Sequence, residues 1–347
     1  MEWYFSIHHT EAFRIPSICP ATSGQVDARR VVNWNRVKRL ALVLYMVPAL
    51  AQVHFTRTGE GAINVEVDGK PFTTLHLGED SNKPYLAPLR AASGTMVTRG
   101  YPMEMIKGES RDHPHHRGVF FSHGDVNQTN FWDDSISPKN PNRGRIVPVG
   151  RIETTSTGNT GKIVAHFNWI AHDGKPILRE DRTMTFYSGT GKDRIIDFDI
   201  NLHAIQRSVF GDTKEGTFAI RLADALSEER GGTMTNAQGA TTMKNVWGKP
   251  SPWVDYSGVI NGEKVGVTVF DHPQNPRHPT TWHVRDYGLF AANIFGQHDF
   301  ENPAMPNGSM TLERGQDLRF RYRVLIHAGG TDRGELEKEY KKYAGEK

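Results

Sequence analysis

A chain of 347 residues, 37% apolar and 23% charged, is long enough to bury a large core and too apolar to stay unfolded. Its formal net charge is +3, and the six Lys/Arg against three acids within residues 1–51 account for all of it. The remaining chain is balanced and carries no basic stripe, which excludes nucleic acid as a partner.

Lys38-Arg39 precedes an apolar run from Leu40 to Leu50, and Ala49-Leu50-Ala51 comes just before Gln52. This is the pattern of a signal peptide over residues 37–51, and the run is short for a bilayer span. Signal peptides rarely carry a long irregular polar segment in front. Residues 1–36 are therefore expected to be a mis-assigned or disordered extension, with translation starting at Val37. Cleavage would leave residues 52–347 as a single domain, periplasmic or secreted, with no transmembrane anchor. Cys19 is the only cysteine and lies in the extension, so the mature chain has no disulfide, thiol nucleophile or cysteine-held metal.

Beyond Gln52 the hydrophobic pattern has period two. Ile63, Val65 and Val67 alternate with polar residues, and Asp68-Gly69 turns the chain into Phe72–Leu75. Residues 162–171 and 177–187 form a second pair around His172-Asp173-Gly174-Lys175-Pro176. From Ile196 to Leu202 the alternation is strict, and Val265–Phe270, Gly288–Phe295 and Leu318–Ile326 add strands. The spacing predicts an all-β chain, a large antiparallel β-sandwich. A short C-terminal helix follows, capped by Asp332 and Glu335, with Leu336, Tyr340 and Tyr343 on its apolar side.

Asp112-His113-Pro114-His115-His116-Arg117-Gly118 places three imidazoles, an acid and a guanidinium within six positions. Histidine titrates near neutral pH, ligates metals and carries protons. In an extended segment His113 and His115 point to one side and His116 to the other, while Pro114 favours a loop at a sheet end. Arg117-Gly118 leads into a buried strand, Val119–Asp125, ending in His123 and Asp125. One of His113, His115 and His116 could serve as general acid or base with Asp112 or Asp125 orienting it. Alternatively, His113, His115 and His123 could hold a divalent metal.

Asp-His-Pro recurs at Asp271-His272-Pro273, and the segment continues through Asn275, Arg277 and His278 to Trp282, His283 and Arg285. Its prolines make it rigid and non-helical. Trp282 would present a flat face to the C–H side of a sugar ring, and Asn275, Arg277 and Arg285 would bond its hydroxyls, with His272, His278 and His283 beside them. The recurrence predicts that the two segments converge on one groove. In Lys214–Arg221, Phe218 and Ile220 face inward, Glu215 is a candidate base and Arg221 a candidate clamp. There is no P-loop, no dinucleotide-binding glycine motif and no H-E-x-x-H, and Ser122-His123 is not a nucleophile elbow.

The run from Gly100 to Asp134 resembles the PmoA-like family of bacterial proteins, through Asp112–Gly118, His123-Gly124-Asp125-Val126-Asn127 and Phe131-Trp132. So do Lys214–Phe218, Trp253–Gly258 and Asp271–Gly288, and the resemblance covers nearly all of residues 55–330. It implies a β-supersandwich similar to galactose mutarotase, in which a histidine acid and a carboxylate base act on a sugar in the concave face. The family's methane oxygenase label does not suit this chain, since a membrane monooxygenase subunit needs several spans of about 20 apolar residues.

The sequence is thus expected to be that of an exported enzyme acting on a small carbohydrate or glycoside by histidine acid/base chemistry in a sheet-face groove. Asp112, His113, His115, His116 and Glu215 are its candidate catalytic residues. Arg117, His123, Asp125, Arg221, His272, Asn275, Arg277, His278, Trp282, His283 and Arg285 are its candidate substrate contacts. A metal-dependent lyase or hydrolase and a non-catalytic carbohydrate-binding protein remain as alternatives.

Overall fold

Strict alternation from Ile196 to Leu202 becomes a strand, Arg194–Ala204, in which every second side chain is buried. It pairs with Asp317–Ala328 on one side and Pro176–Tyr187 on the other, in long unbroken antiparallel registers. The computed structural model describes residues 52–346 apart from residues 60, 79, 135–140 and 301–306. The leader and extension expected within residues 1–51 lie outside the described residues.

Two large antiparallel sheets make the sandwich. The first has eight strands, in the spatial order Val53–Thr58, Ala62–Val67, Lys70–His76, Tyr85–Leu86, Val119–His123, Gly216–Arg221, Leu289–Asn293 and Thr281–Val284. The second has nine. Its central strands run Thr233–Asn236, Trp253–Ile260, Glu263–Asp271, Asp317–Ala328, Arg194–Ala204, Pro176–Tyr187 and Thr160–Ile170, and the last of these also carries Arg145–Pro148 and Glu153–Thr157. The helix is Arg333–Ala344, and the Asp332 carboxylate accepts from the amides of Gly334 and Glu335. Among the described residues no helix is long and apolar enough to cross a membrane.

Aromatic side chains join the two inner faces. Phe218 lies 4.8 Å from Phe198 and 4.6 Å from Tyr322, and Phe121 lies 6.1 Å from Trp169. Burial of such rings, at roughly 25 cal/mol per Å² of apolar surface, is the main force holding sheet to sheet.

The outer face of the eight-stranded sheet carries a second, smaller cluster. The register sets Tyr85, Phe120, Ala219, Ala291 and His283 in one row across five strands. Trp132 packs on Phe120 at 5.0 Å. The two alanines in the middle of the row leave space above the sheet. That space positions the site.

Candidate functional site

Residues 112–117 form a loop with a turn at Pro114-His115, closed by a bond from the His116 amide to the His113 carbonyl at 3.0 Å. The extended arrangement expected for this segment does not occur. The turn brings all three rings to one place: His113 lies flat on His116 at 5.0 Å with 2° between the planes, and His115 meets His116 edge-on at 4.3 Å. Gly118 makes the re-entry into the sheet possible. It has φ +48°, and a Cβ there would stand 2.0 Å from the Leu86 carbonyl oxygen.

The loop is anchored from below. One oxygen of Asp112 accepts from Arg99 at 2.5 Å and from Arg221 at 2.7 Å, and the other accepts Nδ1–H of His113 at 2.5 Å. Arg99 and Arg221 are fully buried. Burial alone would raise the Asp112 carboxyl, but the His113 bond and the two guanidinium charges outweigh it and hold the group well below the usual carboxylate range. His113 also stacks on Tyr287 at 4.9 Å, and Arg221 covers that ring at 4.6 Å. With Nδ1 committed to Asp112 and the side chain 42% exposed, His113 offers Nε2 as its free nitrogen.

His116 is differently placed. It is fully buried, and its Nε2 lies 3.2 Å from the indole nitrogen of Trp132. Indole can only donate, so Nε2 accepts, the ring is neutral and Nδ1 carries the proton. Burial, together with the neighbouring cations, pushes its pKa well below the ordinary value. The same effects push His115 down to about 3, and burial with Arg285 nearby pushes His283 down to about 3.

These elements enclose a cleft of about 340 Å³ on the outer face of the eight-stranded sheet. Its walls are the His113–His116 loop, Asn130 and Asp133, Lys214 and Glu215, and the run from His283 to Tyr287. Burial raises the Glu215 carboxyl above its ordinary value. Burial also raises Asp133, against the pull of Lys83. Nδ1 of His115, His116 and His283 and Nε of Arg285 are all buried without a hydrogen-bond partner. Each such group costs on the order of 1–3 kcal/mol, so the four around this cleft are a local cost to stability.

Of the expected site residues, Asp112, His113, His115, His116, Glu215, Arg221, His283 and Arg285 come together here. The rest do not. Trp282 is a core residue: it packs on Phe290 at 5.6 Å and donates to the Ser251 carbonyl at 2.8 Å, so it offers no face to a ligand. Alternation turns His283 to the cleft and Trp282 to the interior. Arg277 donates to the carbonyls of Ile294, Gly308 and Ser309. Asn275 bonds Asp271 and the backbone of Arg321, His278 bonds Asp271, and His272 reaches the carbonyl of Glu346. The Asp271–His278 stretch therefore ties the nine-stranded sheet to the C-terminal segment, and the two Asp-His-Pro motifs do not converge.

Arg117 is held by Asp80 and by Asp134, and Asp125 accepts the Gln128 amide in a turn. His123 follows Val119 and Phe121 into the core, where it lies 4.6 Å from Phe295 and donates to the Gly211 carbonyl. A metal shared by His113, His115 and His123 has no geometry to rest on, because His123 is on the opposite face of the sheet. Among the described residues no group of three or more His, Cys, Asp or Glu side chains is disposed to hold a metal ion.

Sequence reasoning missed Asn130, Asp133, Lys214 and Tyr287. The Asn130 carboxamide accepts the amides of Trp132 and Asp133, a turn whose Asn-x-x-Asp spelling could have drawn attention to it. Tyr287 carried no signal beyond its turn-forming neighbours Asp286 and Gly288.

The profile of DUF6807, a family of unknown function, matches residues 62–341, and the chain belongs to that family. No curated protein matches it significantly. Among solved structures it is similar to galactose 1-epimerase from Lactobacillus acidophilus NCFM, at 8% identity over 80% of this chain and 99% of that one, with a TM-score of 0.38. It is also similar to the GalM/aldose epimerase homologue from C. elegans, at 7% identity over 81% of this chain and 100% of that one, with a TM-score of 0.33. Likeness at these values assigns neither residues nor a reaction to this chain. The PmoA-like label has no counterpart among these matches.

Proposed function

We propose that the chain is a carbohydrate- or glycoside-processing enzyme that moves protons between Glu215 and His113 across the cleft. The observation that carries this reading is the presence of a buried carboxyl and an anchored imidazole on the walls of one polar cavity. Glu215 is a carboxyl raised by burial. His113 is an imidazole fixed by an anchored carboxylate, with Nε2 free. A carboxyl and an imidazole facing one cavity, each able to carry a proton, is an arrangement that general acid/base catalysis uses. In this reading the Glu215 carboxylate takes a proton from the substrate, and His113, oriented by Asp112, gives one from Nε2 to the departing or developing oxygen.

The polar walls of the cleft, with Asn130, Asp133, Lys214, Arg285 and Tyr287 beside the imidazoles, support a polyhydroxylated substrate, since they comprise both donors and acceptors and a sugar supplies both. Tyr287, lying flat against His113, gives the ring stack its outer face. Turnover of a panel of sugars and glycosides, oxidised sugars included, tests the proposal. Product with the wild type and a fall of roughly 10²–10⁴-fold for Glu215→Gln and His113→Asn is the expected result. Binding without product would overturn it in favour of a carbohydrate-binding protein. Export through residues 37–51 is part of the same proposal, and a mature N-terminus well upstream of Gln52 would refute that part.

A further inference from the structure

A second cleft, of about 600 Å³, opens at the Thr233–Asn236 edge of the nine-stranded sheet. Three cations line it, Arg230, Lys264 and Arg333, and no carboxylate does. None of the three has an ion-pair partner among the described residues. Arg333 is held in place rather than sweeping through solvent. Its guanidinium donates to the Ala237 carbonyl at 2.8 Å and lies over Gly239, where a Cβ would stand 2.8 Å from Nη1.

The floor is equally ordered. Asp255 is fully buried, and one of its oxygens accepts from Thr268 at 2.7 Å and from His327 at 2.9 Å. The other accepts the Thr331 hydroxyl. Thr331 thereby spends its only hydrogen on Asp255, so its oxygen can only accept from the Ser257 hydroxyl 3.0 Å away. Of the five hydroxyls that line the cleft, those of Ser257 and Thr331 then have their hydrogens committed within the protein and keep lone pairs for a ligand, while Thr233, Thr235 and Thr241 add further hydroxyls.

Three uncompensated positive charges call for negative charge, and hydroxyl lone pairs call for O–H donors. A simple inorganic anion satisfies the first but offers no O–H to the committed hydroxyls of Ser257 and Thr331. A neutral sugar satisfies only the second. We propose that this cleft binds an acidic carbohydrate, a sugar chain carrying carboxylate or sulfate groups, at a site separate from the His113–Glu215 cleft and independent of the function proposed for it.

Calorimetric titration of the full chain tests this, with an oligogalacturonate and a heparin oligosaccharide as probes. A neutral cello-oligosaccharide and poly-glutamate serve as comparators. Binding of either acidic sugar in preference to both comparators is expected. So is a loss of about tenfold or more in affinity for Lys264→Glu and for Arg230→Glu, with Arg285→Ala, in the other cleft, unchanged. Both reversed positions are exposed, so unaltered melting of those variants shows that the loss is local. Failure of both acidic sugars to bind, equal binding of poly-glutamate, or full affinity in Lys264→Glu with loss in Arg285→Ala would each overturn the proposal.

Discussion

Arg221, on a strand of the eight-stranded sheet, donates to Asp112 in the loop above it at 2.7 Å, and the same carboxylate holds His113 with its other oxygen. The rigid sheet thus sets the orientation of a loop imidazole through a single acid. Asp112→Asn keeps the shape and removes the charge, leaving Arg99 and Arg221 buried without a counter-ion. The expected cost is about 3 kcal/mol of stability, read by denaturant unfolding, together with loss of turnover. A variant as stable as the wild type would refute the anchoring role.

Glu215→Gln separates chemistry from folding. The native carboxyl is raised because burial disfavours its charge, so the amide is expected to fold at least as stably while activity falls. In the wild type, kcat/KM is expected to drop as pH falls through a carboxylate pKa lying above the ordinary 4.5. An acid limb at or below 4.5 would show that another group is the base.

Stability should also depend on pH through the buried histidines. His115 and His283 are pushed down to about 3 and His123 to about 4, each chiefly by burial, and His116 is held well below its ordinary value. The unfolded chain binds protons at these positions below about pH 6.5 while the folded chain does not, so folding stability falls as pH drops from about 6.5 toward 3–4. Each histidine contributes up to about 1.4 kcal/mol per pH unit in that window. His327 is raised, Asp255 overcoming its burial, and works in the opposite direction. A melting temperature that stays flat between pH 7 and pH 4 would contradict the neutral, buried state of the four rings.

Trp282 and Arg277 distinguish core and strut from ligand contact. Trp282→Ala should cost about 3–5 kcal/mol by leaving a cavity between the sheets. Arg277→Ala should release three backbone carbonyls and leave ligand affinity in the His113–Glu215 cleft unchanged. A specific loss of affinity in Arg277→Ala, with the fold intact, would return the Asp271–His278 segment to the site.

The strands were legible because period-two burial is written directly into the residues: Ile196, Phe198, Ile200 and Leu202 are buried as their alternation requires. The same rule, applied at Trp282-His283, would have separated the core residue from the cleft residue. Trp282, expected to stack on a sugar ring, takes the inward position that this rule assigns it. The His-rich loop was legible from its composition as a cluster of titratable groups. Its shape was not, because the turn at Pro114-His115 depends on Arg99 and Arg221 holding Asp112 from elements distant in the chain.

By itself, then, the sequence determined the all-β antiparallel sandwich, the capped C-terminal helix and the concentration of titratable side chains at Asp112–His116. These are local properties, set by side-chain period, capping and residue type. Only the tertiary structure decided which motifs meet. Strand register placed Ala219 and Ala291 beneath the cleft and His283 at its wall, and it turned His123 into the core. It also left the second Asp-His-Pro segment bonded to the C-terminal segment, since pairing between distant strands, not likeness between motifs, sets what lies beside what.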